Sequence, residues 1–351
     1  MTLIHVGAGL IWLLILVYGI LGAIDFGSSF WRWYFNRRGD WNAESIARNY
    51  VSPTWELINA FLILIPVTLV GLFPGAVFAY GTVLLVPATL LLALIALRGA
   101  YWQFGYASTN RQSQTILVVG ITGLILPGVF STLLPLSQGG FVNVMDGASR
   151  LRTLYFFMSP AVYLYTVFGI TLALYVAALF LSRYAYLGRQ FSAYSRYRRQ
   201  ALWTGPVSLV AGVAAVTARM PGSLNMAARM MHWWPILAAS LASFAVSYGA
   251  LWWAGRFGKT DKGLRFLNIS LVFTLVQLTT AHFAYGLAHA VYWLYPYVTF
   301  ANSVSNPVMF RATLLVLGAG MLILTPGFLW FRHLFITDRD YASGRSTTGS
   351  H

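Results

Sequence analysis

Two carboxylates sit where carboxylates are expensive. Asp25 lies near the end of one long apolar segment and Glu56 near the start of the next, while Asp40, Glu44, Asp146, Asp261, Asp338 and Asp340 fall in polar connections or the tail. An acidic side chain at the centre of a bilayer costs about 2.5–3.5 kcal/mol on insertion scales, so such a group is read first as functional. Two of them at one depth, within reach of water, suit taking up protons and passing them inward. The structural alternative is equally simple: Asp25 caps or bonds a neighbouring backbone, and Glu56 is a first-turn partner of a helix dipole.

A second group of polar residues surrounds these two in the sequence or repeats their situation elsewhere. Trp55 and Asn59 flank Glu56, and Arg98 closes a later apolar run beside Tyr101, Trp102 and Phe104. The expected role of Arg98 is to snorkel its guanidinium to the interface, with polar support as the functional alternative. His282 and His289 are seven residues apart and so share a helix face. Two histidines on one helix cannot bracket a single haem iron. They are either one ligand each for two groups or interhelical hydrogen-bond partners, and the second is the commoner use of polar side chains in membrane bundles. Nucleotide-binding, zinc-protease and Ser-His-Asp patterns are absent.

The elements that must position these residues are helices. The 351 residues are 58% hydrophobic and 9% charged, with mean hydropathy +0.67, the composition of a polytopic membrane protein. Apolar runs of about 18–25 residues, rather than alternating segments of about 10, select helices over a barrel. The chain has no cysteine, which excludes disulfides, thiolate-held iron–sulfur clusters and Cys-ligated zinc. The +15 charge is mostly arginine scattered through short connections, a topology signal rather than a nucleic-acid groove.

Nine spans are predicted, roughly 3–30, 53–73, 76–98, 114–135, 158–182, 202–218, 234–255, 266–290 and 310–333. The first reads as a retained span rather than a signal peptide. Residues 1–341 are expected to form one transmembrane helical domain and 342–351 a disordered tail. With this division, 18 of the 23 Lys and Arg residues fall in odd connections and the C-terminus, which places the N-terminus outside and the C-terminus inside. Removing the sixth span, weakened by Pro206, would abolish that asymmetry. Asp25 then lies some twenty residues into the first span and Glu56 about four residues into the second, both near the cytoplasmic surface. Aromatics at 230–234 and 292–300 read as an interfacial belt, with a quinol-site or lid role as the alternative, and Leu72-Phe73-Pro74-Gly75 reads as a tight turn.

The order and spacing of several motifs resemble subunit II of the bacterial cytochrome bd quinol oxidases, in the form typical of bacilli. They are Gly22-Ala23-Ile24-Asp25-Phe26-Gly27, Ser52-Pro53-Thr54-Trp55-Glu56-Leu57-Ile58-Asn59-Ala60-Phe61, Gly71-Leu72-Phe73-Pro74, Leu84-Leu85-Val86-Pro87, and Leu97-Arg98-Gly99 followed by Tyr101-Trp102-Gln103-Phe104. Beyond about Tyr106 the likeness rests on span count and length. The resemblance implies two four-helix bundles plus one peripheral helix, packed against a subunit I that carries haems b and d and the quinol-binding loop. A small single-span third subunit is a further implied partner. It implies that this chain holds no haem or metal ligand of its own, sits in the bacterial cell membrane, and contributes acidic residues of a proton path at Asp25 and Glu56. Some relatives carry Asp where Glu56 stands, with Asn two residues later; Asn59 follows at three.

Two other classes stay open on residue types. A proton-coupled secondary transporter would also use intramembrane carboxylates, but with repeat-related broken helices and a midplane site. A haem-binding cytochrome subunit would need histidines on facing helices at matched depth, for which His5, His282 and His289 are the candidates.

Overall fold

The computed structural model describes residues 3–105, 112–145 and 148–332, with side chains for all of these except 51–57, 105, 144, 145, 148, 324 and 327–332. The tail call at 342–351 therefore lies outside the described residues. Among those described, seven helices are long and apolar enough to cross a membrane, and shorter apolar stretches cover Ile58–Leu72 and Pro307–Ile323. The protein is an all-α polytopic membrane protein, with two short hairpins in its connections.

The chain opens with α1 (Leu3–Arg37) and returns through α2 (Trp41–Leu72). Gly39, at φ +67°, makes the turn between them, and Asp40 caps α2 by accepting from the Ala43 N–H at 3.4 Å. At 35 residues α1 is about 52 Å long against a hydrocarbon core of about 30 Å. Its surplus lies at the arginine-bearing end, around Arg32 and Arg37, so the helix projects there rather than at its apolar start.

Phe73 alone separates α2 from α3 (Pro74–Val83), with Pro74 at the first helical position, where its missing N–H costs nothing. The predicted single span over 76–98 is two helices, α3 and α4 (Leu85–Gly105). Pro87 accounts for the break, since it has no N–H to give to the Val83 carbonyl four residues earlier. Next come α5 (Gln112–Ser131), α6 (Leu133–Ser137), the hairpin β1 (Val142–Met145) and β2 (Ala148–Leu151), and α7 (Thr153–Met158). Then α8 (Pro160–Leu187) and α9 (Phe191–Thr217) form an antiparallel pair, α9 running unbroken through Pro206. After α10 (Met226–Met231) a second pair follows, α11 (Trp234–Ala254) with α12 (Asp261–His289). The hairpin β3 (Tyr292–Leu294) and β4 (Val298–Thr299) leads to α13 (Pro307–Arg332).

Packing divides these helices into groups. α1 lies against α2, α5 and α8, with α4 on α5, whereas α8 packs on α9 and α11 on α12. α13 leans on α2 from outside. Water drives little of this inside lipid, so close backbone approach has to, and small residues permit it. At Gly27 an added Cβ would collide with the Ala173 carbonyl and the Ala177 side chain of α8, and at Gly123 of α5 with the Phe26 carbonyl of α1. α1 is thus the helix on which the first group closes.

Candidate functional site

Asp25 is where that close packing meets a charge. It is 1% exposed, as is Arg98 of α4, and the Arg98 Nη2 donates to Asp25 Oδ2 at 2.8 Å. The same nitrogen reaches Ser29 Oγ at 2.8 Å, while Nη1 donates to the Val119 carbonyl of α5 at 3.0 Å. Ser29, one turn after Asp25, donates in turn to the Asp25 backbone carbonyl at 3.0 Å. The guanidinium also stands 5.3 Å from the centre of the Phe26 ring. One arginine therefore ties α1, α4 and α5 together through a carboxylate, a hydroxyl and a main-chain carbonyl, which its planar fork of donors allows and a lysine could not.

This corrects the expected role of Arg98. It does not snorkel; it turns inward, because an unpaired carboxylate in the bundle would cost more than burying the pair. The signal was available in the sequence: both residues lie near the cytoplasmic end of their predicted spans, and opposite charges at one depth are candidates to pair. Among the described residues, three polar atoms of this cluster are buried without a hydrogen-bond partner, Asp25 Oδ1, Ser28 Oγ and Arg98 Nε. Hydrogen-bonding capacity is thus left unspent at the carboxylate.

Glu56 and Trp55 belong to α2, but their side chains lie outside the described residues. The helix itself starts earlier than expected, at Trp41, so position 56 is about four turns into it. Asp25 precedes the far end of α1 by a similar distance, so the antiparallel hairpin brings the two positions to comparable height. Asn59 is half-buried on α2.

A second acidic residue also proves to be interior. Glu44, assigned from the sequence to a connection, lies in the first turn of α2, 4% exposed, and accepts from Arg32 Nε at 2.9 Å. Hydropathy hides it, because the first turns of α2 are polar and lie before the apolar run. Beside it Arg196 of α9 pairs with Asp40 at 2.6 Å, and the Tyr197 hydroxyl donates to the Ala43 carbonyl at 2.6 Å. The α1–α2 turn is thereby pinned to α9.

The two histidines sit elsewhere and do different work. His282 Nε2 bonds the Trp12 carbonyl at 2.9 Å, and Trp12 Nε1 donates to the His282 carbonyl at 3.1 Å, with the rings stacked 4.4 Å apart. This joins α12 to α1 and is the interhelical reading. His289 bonds locally, its Nδ1 to the Tyr292 carbonyl at 2.9 Å, and its ring stacks on Tyr285. His282 spends its Nε2 on backbone, whereas the buried Nε2 of His289 has no hydrogen-bond partner among the described residues. Sequence reasoning missed the neighbouring Gln138, 1% exposed, whose amide donates to the Tyr165 and Tyr285 hydroxyls at 2.6 and 2.8 Å. It stands just beyond α6, where no hydropathy pattern marks it. Substituting His282→Phe should cost about 1 kcal/mol of stability in detergent thermal unfolding. The haem spectrum of the complex carrying this chain should not change; loss of a haem band would restore a ligand role.

A family model described as cytochrome bd terminal oxidase subunit II matches residues 3–335. A Bacillus subtilis (strain 168) protein that bears the name cytochrome bd menaquinol oxidase subunit II is 32% identical over 338 residues, covering 96% of each chain. Among solved structures, the bd oxidase from Geobacillus thermodenitrificans superposes with a TM-score of 0.76 at 29% identity, over 96% of this chain and 100% of that one. With seven long apolar helices and this match along nearly its whole length, the chain is a multi-pass cell-membrane protein and belongs to the cytochrome bd terminal oxidase subunit II family.

Proposed function

We propose that this chain is the haem-free subunit of a membrane quinol:oxygen oxidoreductase, and that it supports a haem-bearing subunit I and brings protons to it from the cytoplasmic side. Family membership carries the subunit role. The name of the Bacillus subtilis relative supports menaquinol as the substrate of the complex. The seven long apolar helices, together with the apolar stretches of α2 and α13, support nine spans, and the excess of Lys and Arg in the odd connections supports an N-terminus outside. The packing of α1, α2, α4 and α5 on one side and α8, α9, α11 and α12 on the other supports two bundles with α13 peripheral. Haems b and d and the quinol site belong to subunit I in this reading, and a small third subunit completes it.

The single observation behind the proton role is the Asp25 carboxylate, which is buried, held by Arg98 through Oδ2, and open at Oδ1. Arg98 fixes the carboxyl in place, and the open oxygen is the atom at which a proton arriving through water is taken up. Glu56, at comparable height on the adjoining helix, is the second station. Trp55 and Asn59 flank it as polar support.

Replacing Asp25→Asn keeps an oxygen acceptor for Arg98 while removing the exchangeable proton, and Glu56→Gln does the same at its position. Each should lower quinol-oxidase turnover by about a hundred-fold, the lower end of acid–base effects, while the haem spectrum and yield of the complex persist. Wild-type turnover in both variants would sink the proton route and leave Asp25 a structural ion-pair partner. Stripping this chain from its partner tests the subunit role separately, since haem absorption should leave with the larger subunit.

A further inference from the structure

At the end of the molecule where α1 begins, α7, the start of α8 and the segment after α9 surround an open cavity of about 630 Å³, the size of a small-molecule site. Arg152 and Arg219 stand on its wall. Both are exposed, and neither takes part in an ion pair among the described residues. Arg152 is held in place by the Tyr155 ring, 4.6 Å from the guanidinium carbon. Ser159 and Pro160, which start the 28-residue α8, also line the cavity, and the Ser159 side chain makes no cap bond. The positive end of that helix dipole thus adds to two guanidinium charges that no described residue pairs.

The rim is of the opposite character. Leu154 and Met158 are one turn apart on α7 and are 75% and 71% exposed. A soluble anion has no use for them. A molecule with a charged head and an apolar tail uses both parts, and the ends of spanning helices are where such molecules are met.

We propose that this cavity binds the phosphate headgroup of an anionic phospholipid, with Arg152 and Arg219 on the phosphate, Ser159 at the start of α8 beside it, and an acyl chain over Leu154 and Met158. Guanidinium groups suit phosphate oxygens through paired donors, and each basic residue near an anionic lipid surface is worth about five-fold in affinity. The site is separate from Asp25 and does not rest on the proton reading.

The test is native mass spectrometry of the detergent-purified complex, titrated with palmitoyl-oleoyl phosphatidylglycerol, with the matched phosphatidylcholine, and with phosphatidylglycerol in the presence of millimolar inorganic phosphate. The expected result is a phosphatidylglycerol adduct that phosphatidylcholine does not match and phosphate does not displace. It should weaken at least about ten-fold in Arg152→Ala/Arg219→Ala and largely return in Arg152→Lys/Arg219→Lys. The basic pair at the other end, changed as Arg256→Ala/Lys259→Ala, should leave it intact. Equal binding of both lipids overturns the proposal, as does displacement by free phosphate, which would make this a soluble-anion site. So does unchanged binding in an alanine pair of normal haem content. Should the alanine pair fail to assemble, the lipid comparison and phosphate competition on the unaltered complex still decide.

Discussion

Replacing Arg98→Ala should cost about 3–5 kcal/mol, the effect of leaving one partner of a buried ion pair alone. Against a total stability of about 5–15 kcal/mol, that is a large share and should lower the yield of assembled protein. The loss has three parts: Asp25 keeps an uncompensated charge, Ser29 Oγ and the Val119 carbonyl lose their donor, and α4 loses its tie to α1 and α5. Arg98→Lys should recover only part of it, because one ammonium cannot meet three acceptors spread over two helices. The informative variant is Asp25→Leu/Arg98→Met, which removes both charges. Buried pairs replaced by apolar residues of similar size are often no less stable, so this double variant should return to within about 1–2 kcal/mol of the parent. Thermal unfolding in detergent and the yield of haem-loaded complex measure both. A restored fold with lost turnover would separate the pair's structural contribution from its chemical one, and an unaffected Arg98→Ala would show that the contact holds nothing together.

The second large effect is expected at Gly27. Its Cα faces α8 so closely that a single methyl group would strike the Ala173 carbonyl and Ala177, and backbone cannot rotate away as a long side chain can. Gly27→Ala should cost about 1–3 kcal/mol by overpacking, and Gly27→Leu more. Two residues away, Asp25 would move with the displaced helix, so turnover should fall even where the complex survives. Gly9→Ala and Gly19→Ala are the controls: an added Cβ at either meets nothing within 4 Å, and in a helix alanine is the better residue. Similar losses at all three positions would mean that α1 tolerates no change anywhere, and the argument from close approach would fail.

Both effects concern contacts that the sequence shows only in halves. Hydropathy makes the helices legible because a lipid-buried backbone has few alternatives. The short motifs around Asp25 and Glu56 carry enough order to indicate the family. What one-dimensional reading loses is direction and partner. Arg98 ends an apolar run, where an arginine usually reaches out; that it reaches in depends on Asp25, 73 positions earlier. Glu44 stands among polar residues and looks solvated until the first turns of α2 fold it against Arg32. The break at Leu84 is local chemistry, explicable by Pro87 yet hidden because both halves are equally apolar. Gln138 gathers two tyrosines from helices that only the tertiary fold brings near it.

The separation of Asp25 from Arg98 also sets a schedule. A ribosome adding about 5–20 residues per second needs roughly 4–15 s to make the 73 residues between them. During that interval the first helix carries its acid without its arginine partner. Insertion must therefore be carried by the rest of that helix, and the richest apolar window of the seven long helices is indeed in α1. Newborn α1 has reason to wait beside the insertion machinery until α4 arrives, so an Arg98 variant is a problem of biogenesis before it is one of catalysis, visible as early proteolysis of nascent chains.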